Sequence, residues 1–301
     1  MSAFRYDQEM PLPLRLMPTR HSPFYSPFLA LHAAGFLQQE GVESTLRLPV
    51  EGESTGAMLR RGEVDVIQSA VSAAWTAREK GAADIPVHIA QINQCDGFVI
   101  VGRHADPNFE WKKLEGKTLI ADHGHQPLAM LRWAAHKNGG DLARVNLLNL
   151  GSPQTMEATF RSGQGDYIHL QGGVPQQMEI EEAGHVVAYC GAGVTPLAFS
   201  SIATPRAFLE RDMLRPFLSS FAKAKAWARE SSASEVAERL SPLFPALHVN
   251  ALTAAIAACQ KLGCWEGDAT IPRVDYEEAQ RVFVWARAIG RAHPYEEVCH
   301  A

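Results

Sequence analysis

Four histidines and a set of hydroxyl and amide side chains stand where apolar runs of this sequence give way to polar loops. His21-Ser22-Pro23 follows LRLMP (14–18), and His125-Gln126-Pro127 follows TLIA (118–121). His123 lies two residues before His125, and His169 sits in DYIHLQGG (166–173). Imidazole titrates near neutral pH, so His125, His169, His123 and His21 are the catalytic candidates if the protein is an enzyme. His-X-His with a distant His is also a metal-binding pattern. The third chemistry is hydrogen bonding to a polar ligand, and the neighbouring residues suit it. Ser22, Tyr25, Ser54, Gln68, Ser69, Gln126, Ser152 and Gln171 offer neutral donors and acceptors, and Tyr25 adds an aromatic face. The expected ligand-binding set is these eight residues with His21, His123, His125 and His169, and no metal or cofactor is assigned.

The elements that position these residues occur twice. Residues 14–36 parallel 118–139, each an apolar run, a polar loop, His-X-Pro and an amphipathic segment. Residues 56–75 parallel 157–176, each a helix end, a Gly turn (Gly62, Gly163), an Asp (Asp65, Asp166), an apolar strand and a polar loop. Pro27 is suited to a first helical turn, and the spacing predicts one helix from there to Gly41. Ser54 and Ser152 also suit helix N-caps, a structural role that competes with ligand contact. Strands at 14–18, 44–49, 64–70, 87–93, 97–103, 145–151, 166–171, 185–190 and 198–205 alternate with helices, and residues after 206 read as helical. Such alternation predicts an α/β fold with mainly parallel sheets.

Composition narrows the function classes. Net charge is −5, so no basic footprint for nucleic acid exists. No apolar stretch approaches the roughly 18–20 residues of a membrane helix, which argues against membrane insertion. The N-terminus lacks an apolar signal core, so the expected location is the cytoplasm, or the periplasm if a leader has been trimmed. The five cysteines (95, 190, 259, 264, 299) are scattered without a zinc-type spacing and read as buried thiols. No nucleophile elbow, Walker A or dinucleotide glycine motif is present.

Several phrases in order resemble a known family. SPFYSPFLALHAAGFLQQEGVE (22–43), LRRGEVDV (59–66), KLEGKTLIA (113–121) and FRSGQGDYI (160–168) resemble the nitrate/sulfonate/taurine/thiamine-precursor group of type 2 periplasmic-binding-protein-like chains. That group includes relatives similar to HMP (thiamine-pyrimidine) synthases. The resemblance spans about residues 13–290. It implies a two-lobed α/β fold, each lobe a mainly parallel sheet flanked by helices, with the ligand cleft between. Lobe one would comprise 1–97 and 205–301, and lobe two 98–204. It further implies closure about a hinge, and an ABC permease as partner if the protein is exported. Two departures matter: the cysteine-rich motif of yeast-type synthases is absent, and Thr19, Arg20 and His21 stand where desulfinase relatives place a nucleophilic cysteine.

The expected function is that of an ABC-importer-type solute-binding protein closing on a small polar or aromatic/heterocyclic ligand. The alternative is a cytoplasmic enzyme on the same scaffold, using the cleft histidines as acid and base. Glu51 and Glu53 in the second loop speak against a simple inorganic anion.

Overall fold

The computed structural model describes residues 13–50, 52–122 and 124–300, with the His125 side chain also outside the description. Ten strands form two five-stranded sheets. The first holds β1 (Leu14–Pro18), β2 (Ser44–Leu46), β3 (Val66–Ser69), β4 (Val87–Asn93) and β10 (Ser200–Thr204), in the order β2-β1-β3-β10-β4. The second holds β5 (Phe98–Gly102), β6 (Thr118–Ile120), β7 (Asn146–Leu148), β8 (Tyr167–Gln171) and β9 (His185–Tyr189), in the order β7-β6-β8-β5-β9. The two orders are the same pattern written twice, which is the architectural form of the sequence repeat.

In the first sheet β1 pairs in parallel with β2 and β3, while β10 runs antiparallel to both β3 and β4. The second sheet repeats this, with β6 parallel to β7 and β8, and β5 antiparallel to β8 and β9. Four strands of each sheet therefore share one direction. The reversed strand is in each case the one that follows a crossing from the other sheet: β5 after residues 94–97, β10 after residues 190–199. Both are buried along their whole length, as are all seven residues of β4, so they read as continuous apolar or neutral runs covered on both faces. Because β10 lies in the first sheet, the return crossing comes before residue 200.

The helix expected from 27 to 41 is two helices, Ser26–Ala33 and Phe36–Gln39, because Gly35 adopts φ +79° between them. Without a Cβ, glycine takes this left-handed conformation at little cost, and the chain turns there. Pro27 does occupy the first turn, where its missing N–H costs no hydrogen bond. After β10 the chain is helical, with Leu214–Glu230, Ala233–Leu240, Val249–Lys261 and Arg273–Trp285 the long segments. These helices complete the larger core. Trp75 donates from Nε1 to the Tyr276 hydroxyl at 2.8 Å and meets Phe283 edge-on. The fully buried Lys225 donates to the carbonyls of Gln91 (3.0 Å) and Asp268, and burial lowers its pKa to about 8. Helix Arg273–Trp285 also reaches the second lobe, where Trp285 packs edge-on against Trp133 of helix His125–Lys137.

The first crossing is tightly specified. A Cβ on Gly97 would stand 2.2 Å from the ring of Phe24, which is itself fully buried. Gly97→Ala is therefore expected to cost about 1–3 kcal/mol by overpacking, read by urea unfolding. A Phe24→Leu change in the same chain should recover part of the loss; no recovery would mean the crossing itself, not this contact, rejects the methyl.

His88 on β4 gives a pH prediction. It is buried, hydrogen-bonded from Nδ1 to the Ser201 hydroxyl at 2.7 Å, and burial depresses its pKa to about 3. An unfolded His titrates near 6.5. Above that value neither state binds the proton. As pH falls from about 6.5 toward 3 the unfolded chain gains a proton that the native state refuses, so stability is lost on acidification, by up to about 1.4 kcal/mol per pH unit. His88→Gln should flatten the slope of unfolding free energy against pH between about pH 5.5 and 4 by that amount.

Candidate functional site

The loop after β1 is anchored before it can bind anything. Register places Pro18 opposite Gln68, and the Gln68 side chain then accepts from the Thr19 N–H at 2.9 Å and the Arg20 N–H at 3.3 Å. The Thr19 hydroxyl donates to the Gln68 carbonyl at 2.6 Å. Ser22 caps the turn Pro23–Tyr25, accepting from the Phe24 N–H at 3.3 Å. The Phe24 carbonyl accepts from both Asn93 Nδ2 (3.1 Å) and Trp265 Nε1 (3.0 Å), so a C-terminal residue and β4 fix the same turn. Arg20, between these anchors, points to the other lobe.

Arg20 pairs with Asp122, which follows β6 in the second sheet; the guanidinium stands 5.7 Å from the Phe98 ring centroid. Three more hydrogen bonds cross the same gap. Gln171 donates to the Tyr25 hydroxyl at 3.1 Å, Ser72 donates to Gln126 Oε1 at 2.8 Å, and Ser22 donates to the Gly172 carbonyl at 3.4 Å. Gln126 also donates to the Phe199 carbonyl on the return crossing. The lobes thus face one another closed.

Two cavities flank the Arg20–Asp122 pair. One, about 330 Å³, is lined by Tyr25, Gln68, Ser69, Ser72, Gln126 and Phe199 among others. The other, about 570 Å³, is lined by His21, Ser22, Ser152, His169, Gln171 and Glu53 among others. Thr19, Arg20 and Phe98 line both. The acidic residues on the larger cavity are paired, Glu53 with Arg47 and Glu157 with Arg161.

Of the twelve residues expected at the site, nine line one or other cavity: His21, Ser22, Tyr25, Gln68, Ser69, Gln126, Ser152, His169 and Gln171. Ser54 is on neither wall; it caps helix Thr55–Arg60, accepting from the Ala57 N–H at 3.3 Å. His123 and Glu51 lie outside the described residues, and of His125 only the backbone, the first residue of helix His125–Lys137, is described. Ser152 combines wall and cap, accepting from the Thr155 N–H at 3.2 Å. His21 stacks flat on Phe244, ring centroids 4.3 Å apart, and burial there lowers its pKa. His169 is fully buried, stacked on Phe98 at 4.6 Å, and burial brings its pKa down to about 3. At neutral pH it is an uncharged imidazole, so it suits ligand or metal contact better than acid catalysis. Sequence reasoning left out Arg20, Asp122, Phe98 and Phe199. An arginine in a strand-end loop and an acid at the matching point of the repeat were the available signal; their pairing across the cleft needs the fold.

Two lobes of like topology, joined by two crossings and closed over cavities of ligand size, define the class: a type 2 periplasmic-binding-protein fold. The chain belongs to the NMT1/THI5-like family, which matches residues 22–233. It is similar to YtlA of Bacillus subtilis (strain 168), 22% identical over 289 residues that cover 95% of this chain and 86% of YtlA. Its fold is shared with the alkanesulfonate-binding protein SsuA from Xanthomonas axonopodis pv. citri bound to MOPS, at TM-score 0.73 and 15% identity, covering 96% of this chain and 98% of that one. It is likewise shared with the ligand-binding component of an ABC-type import system from Staphylococcus aureus with zinc bound, at TM-score 0.71 and 14% identity, covering 96% of both chains.

The cross-lobe pair is partly exposed, its side chains 31% and 13% accessible, so it is expected to hold closure by no more than about 1 kcal/mol. Asp122→Ala should therefore lower the closed-to-open ratio by about fivefold for a loss of about 1 kcal/mol, seen as a larger radius of gyration in small-angle scattering. An unchanged radius would assign closure to the uncharged contacts instead.

Proposed function

We propose that this chain is a solute-binding protein of the ABC-importer type, closing its lobes on a small polar ligand with an aromatic or heterocyclic body. The observation that carries the reading is the position of Arg20. It stands where both cavities meet, beside the Phe98 ring, and among the described residues its ion-pair partner is Asp122 from the opposite lobe. A ligand carrying an anionic or strongly accepting group would exchange with Asp122 for the guanidinium, whose planar fork suits carboxylate, sulfonate or phosphate oxygens. Phe98, Phe199 and Tyr25 supply apolar and aromatic wall for the ligand body, and Gln68, Ser69, Ser72 and Gln126 supply neutral hydrogen bonds. Closure then follows because the ligand touches both lobes at once, favouring the closed state by its differential contacts.

Similarity to a ligand-binding component of an import system and to a sulfonate-binding protein supports this class of function and suggests the first probes. We propose lobe one as residues 1–97 with β10 and the C-terminal helices, and lobe two as the segment carrying β5 to β9. A receptor of this kind would work beside a permease in the periplasm; the other location proposed is the cytoplasm. No helix among the described residues is long and apolar enough to cross a membrane. Cell fractionation of the natively expressed protein separates the two locations.

A thermal-shift screen of alkyl and aryl sulfonates, aromatic carboxylates and pyrimidines tests the function. A true ligand at 100 times its Kd should add about 2.7 kcal/mol of stability. Arg20→Met should weaken an anionic hit by about 1.5–3 kcal/mol while leaving the fold intact. A hit whose affinity is indifferent to Arg20 would move the site away from the cleft junction, and chemical conversion of a hit would overturn the pure-binding reading.

A further inference from the structure

Behind the cleft, three side chains from distant parts of the chain meet in the interior. Asp96 lies on the first crossing, His169 is in the middle of β8, and Cys190 begins the return crossing after β9. Sheet register brings them together: Ile100 pairs with His169, Val99 with Tyr189, and the Cys190 N–H bonds the Phe98 carbonyl at 2.9 Å. All three are fully buried. One atom from each, a carboxylate oxygen, an imidazole nitrogen and the thiol sulfur, lies within 4.8 Å of the other two. Backbone packing holds this meeting point, since a Cβ on Gly191 would stand 2.3 Å from the Asp96 carbonyl oxygen.

The polar groups of this trio are not otherwise satisfied. Asp96 Oδ1 accepts from the Phe98 N–H at 2.8 Å, but among the described residues Oδ2 has no hydrogen-bond partner, and neither nitrogen of His169 has one. Buried groups of this kind normally find partners, and each one left without costs about 1–3 kcal/mol. One imidazole nitrogen, a carboxylate oxygen and the thiol sulfur stand side by side and point to a shared partner.

We propose that Asp96, His169 and Cys190 form a three-residue binding site for a divalent first-row transition metal ion of the zinc type, set at the hinge between the lobes. Nitrogen, oxygen and thiolate sulfur are the donors such an ion takes, at about 2.0–2.3 Å. Tetrahedral ligands then stand about 3.5 Å apart, so the trio needs only a small inward shift on binding. The charges balance: a dication with one carboxylate and one thiolate leaves the buried site neutral. Binding releases the thiol proton, and the carboxyl proton where it is present, so affinity rises with pH. With ligands on both crossings, the ion would restrain the hinge; His169 also lines the larger cavity, so the ion would stand in the back wall of the cleft.

The test uses the whole chain, stripped with chelator and titrated with Co²⁺ and then Zn²⁺. One equivalent of Co²⁺ should raise a thiolate-to-cobalt charge-transfer band that Zn²⁺ abolishes. Cys190→Ser should lose the band and Asp96→Asn should weaken binding by at least tenfold. Cys264→Ser is the control, because Cys95 and Cys264 form a separate thiol cluster with sulfurs 3.2 Å apart. X-ray absorption on the zinc-loaded wild-type chain needs no variant to fold. One sulfur with nitrogen and oxygen neighbours supports the site; two or more sulfurs, no band, or a band that survives Cys190→Ser overturns it.

Discussion

The structure depends on a reversed strand in the middle of each sheet. β5 enters the second sheet between β8 and β9, and β10 enters the first between β3 and β4, each directly after the chain crosses from the other lobe. Without β10 the first sheet would leave β3 and β4 unpaired along an interior edge, and without β5 the second would leave β8 and β9 so. Unpaired backbone groups in the interior are costly, so each lobe's ladder is closed by a strand whose position the crossing dictates. Lobes built in this way can swing about two short segments but cannot separate. That is the mechanical condition for a cleft that opens and shuts.

The cleft inherits its chemistry from this frame. The loops after β1 and β3 stand on one jaw, those after β6 and β8 on the other, all at the carboxyl ends of aligned strands, where open α/β sheets bind ligands. Gln68, Asn93 and Trp265 anchor the backbone behind the first jaw, and Arg20 is the charge that loop turns toward the second. Arg20 and Asp122 neutralise each other in a partly exposed pair of low net worth, and the proposed ligand exchange at Arg20 would cost little for that reason. Neutral partners such as Tyr25 with Gln171 and Ser72 with Gln126 then set how tightly the jaws meet.

Much of this was legible in the chain. The repeat of strand, polar loop, His-X-Pro and helix marked two equivalent jaws, and the order of four short phrases indicated the two-lobed fold. Nine of the expected residues line the cavities because strand-end loops are recognisable from apolar runs that stop at polar residues. The differences have local causes. Ser54 caps a helix N-terminus and lies off both cavity walls, and in sequence that role looks the same as a ligand contact. Gly35 breaks a segment whose apolar spacing continues on both sides of it. The missed residues, Arg20 and Asp122 above all, matter only as a pair, and no periodicity links positions on different lobes.

Composition and pattern alone determined the α/β class, the duplication and the loops that would face a cleft, since each rests on local propensity and on apolar spacing along one segment. Which groups meet was decided by tertiary structure. The Arg20–Asp122 contact and the junction of Asp96, His169 and Cys190 join residues far apart in sequence, brought together by sheet register and by the two crossings. Burial also decided what those groups are. An imidazole that a sequence offers as an acid–base catalyst becomes, inside the second lobe at His169, a neutral ring, because the interior cannot solvate its charge.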